Sequence, residues 1–593
     1  MKTIIKFNKG ENAMIAPVVS RSARIPLKFL CTWLPALACA TLGGCGDDDD
    51  DARPATGGSM GKGGSGGAGT GGSVGSGGVS PTGGSKSASG GTGMASGGAG
   101  GVPADGVPGA GAGGETEVAG GAGGVPSGGS GGDVSEPGGA GGEGGGAETR
   151  VNCVPDSDVH AKVLPLSPGH DGLFGVTFDA TGNLYATGYA QSGVAATDNR
   201  QTIVAKFDST GALVTAFGSN GVAMVDVVAA GIGEMPRGIA LQSDGKIVVA
   251  GAVEHSATAT GVLANDRDVY AFRLTTAGAL DATFGTAGVA ILNLNDGLEG
   301  TNAQGNAALL GADGQWGLNV DASDRLLILG QQRAAGFQSD GTTPRVDTDF
   351  ALVRLTANGV VDATFAATGA TPGKFTYDIG QASASARTAT VLSDGSLVCT
   401  GYSTYSGTQR PVLFKLGPDG QGPTWVFSEP IGTAAEAYGA ALQSTGKFVT
   451  AGYGRPNAAA TSTDLLSVRL TSFGTLDTSY GTNGATWLDV GGYGDNGRSL
   501  LVLGDNRVLL AGGGRLTATD VDGLVAILTA DGAPDTSFAP GGCKTYDLGT
   551  ANDFLWGSAL SANKSLVALV GITGVPSTST DDNDSALVLL PVK

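Results

Sequence analysis

The sequence predicts an all-β protein that folds as a seven-bladed β-propeller, and three observations support this fold. A fifteen-residue pattern, seen as RGIALQSDGKIVVAG at 237–251, occurs seven times. Each copy is followed by a further apolar strand, and one extra strand precedes the first copy. A closed ring leaves no sheet edge exposed, which favours a propeller. A solenoid with capped ends is the alternative.

Each copy of the pattern is predicted to be a β-hairpin. Turn residues such as Asp244-Gly245, Asp394-Gly395 and Gly182-Asn183 supply the positive-φ positions that tight hairpins need. A glycine is expected to end the second strand of each hairpin. The copies occupy residues 174–188, 237–251, 316–330, 387–401, 438–452, 498–512 and 556–571.

Two more strands complete each repeat. The third, such as VYAFRL at 269–274, is apolar on both faces, as expected for a strand packed between neighbouring sheets. A connector such as TTAGALDATFGTAG at 275–288 leads to a fourth strand, so each unit is a four-stranded antiparallel meander. The last copy has only three strands. We therefore expect AKVLPL at 161–166 to complete the last blade and close the ring.

The connector and hairpin resemble the delta-60 repeat family, whose connector reads Gly-x-Leu-Asp-x-Ser/Thr-Phe-Gly and whose hairpin carries DGK. The corresponding text here is GALDATFG at 278–285 and Asp244-Gly245-Lys246. The resemblance covers 173–593. The fourth copy departs from it, with GPDGQGPTWVF, and the first has Val214 in place of the Asp. It implies a propeller-like fold and no assigned activity.

The amino terminus is typical of an export signal. Basic residues precede an apolar run from Phe29 to Leu42 that is too short to remain as a membrane span. Leu42-Gly43-Gly44-Cys45 resembles the lipobox of bacterial lipoproteins, which implies cleavage of residues 1–44 and acylation of Cys45. The alternative is an ordinary secretory signal, and translation from Met14 stays open.

Residues 45–51 contain the lipidated cysteine and an acidic tract, Asp47 to Asp51. The tract is a hydrophilic spacer or, alternatively, a surface-export signal. Residues 52–150 are rich in glycine and serine, and such a chain buries too little apolar surface to fold. We expect a disordered tether with an r.m.s. span of about 55 Å. Residues 151–593 form the propeller.

The charge balance restricts the partners. The chain has 54 acidic and 34 basic residues, a formal net charge of -20, which disfavours nucleic acid. We expect a monomer without cofactors, attached to a membrane through its lipid anchor and able to meet a glycan or another envelope protein. The predicted location is the bacterial cell envelope, most simply the outer membrane.

One column of the repeat alternates between aromatic residues and arginine. It is predicted to open the innermost strands, near the channel mouth on the face with the variable loops. Its members either form a packing belt between blades or provide a platform for a sugar or an anion. They are Phe174, Arg237, Trp316, Arg387, Tyr438, Arg498 and Trp556; we call them the channel ring.

Aspartates recur at two other places. One column precedes the third strands and either caps local turns or collects calcium; we predict no metal site. It comprises Asp268, Asp349, Asp464, Asp522 and Asp584, with Asp266, Asp347, Asp520 and Asp582 two residues earlier. A second column in the connectors, Asp281, Asp362, Asp477 and Asp535, is expected to cap turns.

No catalytic grouping is evident. The histidines His160, His170 and His255 follow no repeat column, and no nucleophile has a matching base, so we predict no catalytic residues and no enzyme. Cys153 and Cys543 are expected to lie close together, either as a disulfide or as two thiols, and Cys399 is expected to be buried.

These observations predict a lipid-anchored binding or scaffolding propeller whose ligand the sequence does not identify. One alternative is a propeller hydrolase or lyase that acts on an extracellular polymer, with a carboxylate pair in the channel. The other is a purely structural or adhesive surface protein.

Overall fold

The structure, a computed structural model, describes residues 149–592 apart from several short gaps. The gaps are 157–159, 193–198, 229–232, 255–265, 302–306, 312, 518–519, 550–551 and 575–582. The predicted signal, Cys45, the acidic tract and the tether up to residue 148 lie outside the described residues, as do His255 and Asp582.

The described residues form β-strands and two short 3₁₀ turns, Tyr405–Gly407 and Pro540–Gly542. The N-terminal strands are β1 (Thr149–Val151), β2 (Val154–Pro155) and β3 (Ala161–Leu164). Blade 1 contains β4 (Asp171–Phe178), β5 (Leu184–Gln191), β6 (Arg200–Phe207) and β7 (Val222–Val225). Blade 2 contains β8 (Glu234–Leu241), β9 (Ile247–Glu254), β10 (Arg267–Leu274) and β11 (Val289–Leu292).

A separate hairpin, β12 (Leu298–Thr301) and β13 (Ala307–Leu310), leads to the third blade. Blade 3 contains β14 (Gly314–Val320), β15 (Leu326–Arg333), β16 (Thr348–Leu355) and β17 (Lys374–Tyr377). Blade 4 contains β18 (Ala384–Val391), β19 (Leu397–Ser403), β20 (Arg410–Leu416) and β21 (Trp425–Phe427).

In blade 5 the inner strand has two pieces, β22 (Ala434–Ala435) and β23 (Gly439–Leu442), followed by β24 (Phe448–Arg455), β25 (Asp464–Leu470) and β26 (Ala485–Val490). Blade 6 contains β27 (Asn496–Val502), β28 (Val508–Gly514), β29 (Asp522–Leu528) and β30 (Cys543–Tyr546). Blade 7 contains β31 (Asp553–Leu560), β32 (Leu566–Thr573) and β33 (Asp584–Pro591).

Each blade is an antiparallel meander whose first strand lies innermost, which confirms the predicted seven four-stranded blades. The third strands are buried on both faces: every residue of β10 and of β25 is buried. This agrees with their continuous apolar sequence, because each blade is packed between two others. The hydrophobic clusters accordingly combine residues of neighbouring blades, such as Val249 with Val204.

The hairpin turns have the predicted left-handed residue. Gly182, Gly245, Gly395 and Gly446 have φ of 90°, 80°, 79° and 79°. In the other three blades Asp324, Asn506 and Lys564 take this position, with φ of 59°, 68° and 58°. The turn geometry is therefore kept even where no glycine is present.

The chain ends close the ring as predicted. β3 pairs antiparallel with β33 and so supplies the fourth strand of blade 7. At the centre, Trp556 of blade 7 meets Phe174 of blade 1 edge to face, with 5.3 Å between ring centroids. Before β3, the same segment adds β1 in parallel to the outer strand β26 of blade 5, and β2 in parallel to β30 of blade 6. Sequence analysis did not identify these two additions.

The Cys153 and Cys543 sulfurs are bonded, with 4.8 Å between the Cα atoms. Cys153 lies between β1 and β2, and Cys543 begins β30. The bond therefore attaches the N-terminal segment to blade 6 immediately before that segment reaches blade 7.

Connector aspartates and third-strand arginines join the blades on the face that contains the hairpins. The hydroxyl and amide of Thr283 donate to Asp281 Oδ1, which confirms the predicted turn cap. Arg273 Nε donates to Asp281 Oδ2 at 2.9 Å, while its Nη1 donates to the carbonyl of Ala357 in the next blade at 2.7 Å. Arg354 and Arg469 make the same pair of contacts, to Asp362 and Pro418 and to Asp477 and Ala530.

We predict that replacing both Cys153 and Cys543 with serine lowers the free energy of unfolding by about 2–5 kcal/mol, because the bond closes a loop of almost the whole propeller. Thermal unfolding of the double variant, with and without a reducing agent, measures this. The wild-type protein should lose stability under reducing conditions, and the variant should not. Labelling of both thiols in denatured, unreduced protein would contradict the assignment.

Candidate functional site: the channel ring

The channel ring residues all lie at irregularities of the inner strands. In blade 1, Leu173 pairs with Gly188 and Gly175 with Thr187, so Phe174 is an extra residue in β4. The same register shift occurs at Arg237, Trp316, Arg387, Arg498 and Trp556. In blade 5, Tyr438 lies in the break between β22 and β23. A bulge redirects a side chain, and here it turns seven of them to the channel.

This location corrects two expectations. The ring residues do not open the inner strands, because in six blades the strand begins two or three residues earlier, as at Asp171 for Phe174. The repeated glycines do not end the second strands either: β5 continues past Gly188 to Gln191. They lie opposite the bulges, where a Cβ on Gly188 would come within 1.7 Å of the Gly172 carbonyl oxygen. Only glycine allows the two backbones to approach so closely.

Arginines and aromatic residues of the channel ring stack on one another around the channel. The Arg387 guanidinium lies 4.1 Å from the Trp316 ring centroid and 4.4 Å from that of Tyr438. Arg498 lies 4.4 Å from Tyr438 and 4.9 Å from Trp556, and Arg237 lies 3.8 Å from Trp316. Seven is an odd number, so alternation fails once, where Phe174 meets Trp556. The predicted stacking of neighbouring blades is present.

One carboxylate supports the channel ring. Glu436 Oε2 accepts a bond from Arg387 Nη2 at 3.1 Å, and both side chains are buried. Its other oxygen accepts bonds from Tyr453 Oη at 3.0 Å and Gln409 Nε2 at 2.8 Å. These bonds hold Glu436 in place. It is not among the residues that line the channel cavity, and it lies on the other side of the ring.

The channel contains a cavity of about 330 Å³ that is lined by the ring and by the residues that follow it in each inner strand. Because the inner strands run toward the hairpin turns, the cavity lies between the ring and the hairpin face. The sequence predicts the ring at the start of the inner strands, near the mouth on the opposite face; it lies two or three residues farther along these strands. Among the residues that line the cavity, the only charged side chains are Arg237, Arg387 and Arg498.

The wall of the cavity combines apolar and hydroxyl side chains. Val176, Ile239, Leu318 and Leu500 contribute apolar surface. A small residue follows each ring residue, and a Cβ on Gly238 would come within 2.4 Å of Leu318 Cβ, so these positions bring neighbouring inner strands together. Sequence analysis missed this column, although its pattern is visible: Gly175, Gly238, Gly317, Thr388, Gly439, Ser499 and Gly557.

A second column that sequence analysis missed consists of buried acids at the starts of inner strands. Asp171 Oδ2 accepts the amides of Leu166 and Ser167, each at 2.9 Å. The equivalent acids accept amides from the same crossing between blades: Glu234 from Val227, Asp313 from Leu294, Asp495 from Val490 and Asp553 from Leu548. These carboxylates satisfy the backbone where the chain passes from an outer strand to the next inner strand.

Burial changes the ionisation of this column. It raises the pKa of Asp171 to about 6 and the pKa values of Glu234 and Asp553 to about 7. Burial also raises the pKa values of Asp313 and Asp495 well above the usual range. Amide donors oppose this shift, but the loss of solvation is larger.

The aspartates before the third strands have varied partners. Asp266 accepts the amide of Gly297, which is 31 residues away, and so joins two segments instead of capping a local turn as predicted. Asp349 instead faces Arg345 at 3.6 Å. Asp464 lies with Asp489 and Asp495 in a buried group whose carboxylate oxygens are within 4.8 Å of one another, a spacing that could hold a cation. Arg150 Nε already donates to Asp489 at 3.0 Å.

The described histidines and the free cysteine lie away from the channel cavity. His160 Nδ1 is 3.1 Å from Asp156 Oδ2, and His170 Nδ1 accepts the Asn583 amide at 3.0 Å. Cys399 is fully buried, and this burial raises the pKa of its thiol well above the usual value. None of the three lines the cavity.

Comparisons with known proteins support the architecture. A family model described as a domain of unknown function (DUF5122) β-propeller matches residues 242–284, 346–365 and 392–421. These ranges contain the hairpin turns and second strands of blades 2 and 4, and the third strands and parts of the connectors of blades 2, 3 and 4. A search of curated proteins found no match.

Several solved structures are similar at low identity. One is a protein of unknown function from Dyadobacter fermentans, at 13% identity and TM-score 0.35, covering 76% of this chain and 100% of that chain. Another is an α-L-arabinofuranosidase from Fusarium graminearum, at 9% identity and TM-score 0.34, covering 60% and 92%. Sqt1 from Chaetomium thermophilum matches at 11% identity and TM-score 0.32, covering 73% and 100%. Likenesses of this size carry no argument about function.

Within the described residues, no helix is both long enough and apolar enough to cross a membrane.

The raised pKa values predict that stability decreases as the pH rises from about 4 to about 7. Asp171, Glu234 and Asp553 hold protons in the folded state that the unfolded chain, with carboxyl pKa values near 4, releases. Their contribution is complete below the unfolded pKa and is lost as the pH passes the folded pKa. The hydrogen bond from the Thr283 hydroxyl lowers the pKa of Asp281, a connector aspartate. Aspartates of this kind therefore change the stability only below this pH range.

Urea midpoints at about pH 4.5, 6 and 7.5 measure this effect. Glu234→Gln should flatten the profile, whereas Asp394→Asn in an exposed turn should not. A midpoint that rises with pH would contradict the prediction.

Proposed function

We propose that the protein is a lipid-anchored binding module of a bacterial cell envelope that holds its ligand in the central channel of the propeller. The observation that carries this proposal is the channel cavity, whose charged lining consists of three arginines stacked with aromatic rings. Its volume of about 330 Å³ lies within the range of small-molecule sites.

The channel ring contains more charge than packing requires. Seven apolar side chains would fill the centre of a propeller without removing any cation from water. Burial lowers the pKa of Arg498 well below its usual value, so this environment disfavours the charged guanidinium. Buried arginines that share one cavity are typical of a binding site, since a buried charge contributes little to the stability of a protein.

The location is inferred from the amino terminus. The apolar run before Leu42-Gly43-Gly44-Cys45, the acidic tract and the glycine-rich stretch together favour an acylated cysteine joined to the propeller by a long tether. A tethered propeller can reach ligands at a distance from the membrane that anchors it.

Binding to the envelope should depend on the ring arginines. We expect the full chain to bind a glycan or envelope fraction, and we expect Arg237→Ala to weaken that binding about tenfold, a change of about 1.4 kcal/mol. Pull-down from envelope fractions and a glycan array measure it, and Arg325→Ala, outside the cavity, is the charge-matched control. A triple variant that also changes Arg387 and Arg498 tests the whole ring.

Unchanged binding in a folded triple variant would contradict the channel as the binding site. The ligand should also be recovered without cleavage, and steady release of products that ceases on changing a channel residue would favour a hydrolase or lyase instead. A structural protein would show neither binding nor turnover.

We predict that Cys45→Ser abolishes incorporation of labelled palmitate and releases the protein from the membrane fraction, because the acylated cysteine is the anchor. Metabolic labelling and fractionation measure this. Cys399→Ala, inside the propeller, should keep both the label and the membrane location. A Cys45→Ser protein that retains the label would contradict the assignment.

A further inference from the structure

Two neighbouring crossings between blades each contain three aspartates at the same positions. The first aspartate begins a third strand, the second lies near the end of the outer strand, and the third lies at the start of the next inner strand. The first triad, between blades 5 and 6, is Asp464, Asp489 and Asp495. The second triad, between blades 6 and 7, is Asp522, Asp547 and Asp553, with identical spacing along the chain.

The first two members of each triad lie opposite one another across the sheet. In blade 5, Asp464 and Asp489 are the pair that follows Leu465 and Leu488 in the ladder between β25 and β26. The equivalent aspartates of blade 6 follow its last ladder pair in the same way. Like charges in directly opposite positions destabilise a sheet. A cation bound between them would remove this repulsion.

Backbone hydrogen bonds hold the third member of each triad beside the first. The Asp495 amide donates to the Thr463 carbonyl at 2.7 Å, and the Asp553 amide donates to the Val521 carbonyl at 2.6 Å. Thr463 and Val521 each directly precede the first aspartate of their triad. In the first triad, one oxygen of each carboxylate lies within 4.8 Å of the other two, and all three residues are buried. Because calcium–oxygen bonds are about 2.4 Å long, one ion can reach all three.

The second triad contains a buried carboxylate oxygen that accepts no hydrogen bond. Asp553 is 0% exposed, and its Oδ1 has no donor in hydrogen-bonding geometry, although the Gly574 amide interacts with the carboxylate. Asp522 is 8% exposed, and none of the described residues donates to its carboxylate or forms an ion pair with it. Burying ionised carboxylates without such partners is costly. A hard cation is the partner that would compensate them.

The hydrogen bonds of the first triad leave lone pairs for an ion. Each Asp495 oxygen accepts one amide, from Val490 at 2.6 Å and from Arg515 at 3.0 Å. Asp489 is bonded in the same manner, with one donor to each oxygen. A carboxylate oxygen has two lone pairs, so it can accept a hydrogen bond and also bind a cation.

We propose that each triad binds one calcium ion, which joins blade 5 to blade 6 and blade 6 to blade 7. A ligand set of three carboxylates is typical of a hard cation, and backbone carbonyls or water would complete the coordination. At these two crossings a metal site replaces the turn caps that the sequence predicts. Calcium and protons compete for Asp553, so the pH dependence predicted above is that of the metal-free protein.

Thermal unfolding of the full chain in detergent tests this, after removal of metal with EDTA and dialysis. Calcium chloride at about 1 mM should raise the unfolding temperature by about 2–5 °C. Magnesium chloride should raise it less, because magnesium requires a smaller and more regular site. The double variant Asp464→Asn, Asp522→Asn should abolish the rise. Without calcium it should be at least as stable as the wild type, since two repulsive pairs are removed.

Asp349→Asn is the matched control, because Asp349 holds the same position at the start of a third strand but faces Arg345 at 3.6 Å. This variant should keep the full calcium response and lose stability without calcium. Each single triad variant should lose about half of the rise, since the two sites are separate. The paired variants also separate the triads from the acidic tract, Asp47 to Asp51, which they leave unchanged.

A rise of wild-type size in the double variant would overturn the proposal, and so would the absence of any rise at about 10 mM calcium. An equal rise with magnesium would overturn the choice of calcium. A single variant with the full response would remove its triad from the proposal. None of these results bears on ligand binding in the channel, which involves other residues.

Discussion

The pairing of a bulge in each inner strand with a glycine in the second strand is the constraint on which the channel depends. The extra residue of the bulge brings the inner backbone against its neighbour, as where the Gly172 carbonyl faces Gly188. A side chain at that glycine would force the strands apart and remove the bulge. The bulge in turn directs Phe174 and its equivalents into the channel. Backbone packing inside a blade therefore determines which side chains face the centre of the ring.

The channel ring couples this local geometry to the whole assembly. Each arginine stacks on residues from other blades, so a shift of one blade changes contacts in two others. Cation–π contacts that are removed from water contribute about 2 kcal/mol each, which offsets part of the loss of guanidinium hydration. Aromatic rings thus hold the three arginines in fixed positions, and Glu436 in addition holds Arg387.

Much of the fold was predictable because the repeat places local signals at fixed intervals. The number of blades, the order of the strands and the closure of the ring could be predicted from the turn glycines, the apolar third strands and the lone strand at 161–166. The ring residues could be recognised because aromatic residues and arginines alternate in their column. The bulge was not predictable, since Gly188 or Gly251 looks the same at the end of a strand as opposite a close carbonyl. The ring was therefore predicted at the first residue of each inner strand, whereas it lies two or three residues farther along.

The buried acids were missed for a different reason. Asp171 and Glu234 each lie three residues before the ring residue of their blade, just upstream of the repeated fifteen-residue text, so their column was visible in the sequence but fell outside the pattern that defines the repeat. The arginines that pair with the connector aspartates recur in the third strands, but the sequence did not indicate that they join neighbouring blades. Arg273 joins two blades through a carbonyl of the next connector, a contact that no residue pattern within one repeat reveals.

The N-terminal segment keeps unfolding that starts at its upstream end from reaching the strand that closes the ring. The chain adds strands to blades 5 and 6 before it completes blade 7, and the bond from Cys153 to Cys543 lies between the first and second of these additions. Fraying of the chain from its upstream end is therefore stopped at Cys153, before it reaches β3. Loss of β3 would expose an edge of β33, in which the consecutive residues 585–588 are all buried. Because Gly557 of blade 7 packs directly on the Phe174 carbonyl of blade 1, a secure last blade also keeps the channel ring in register.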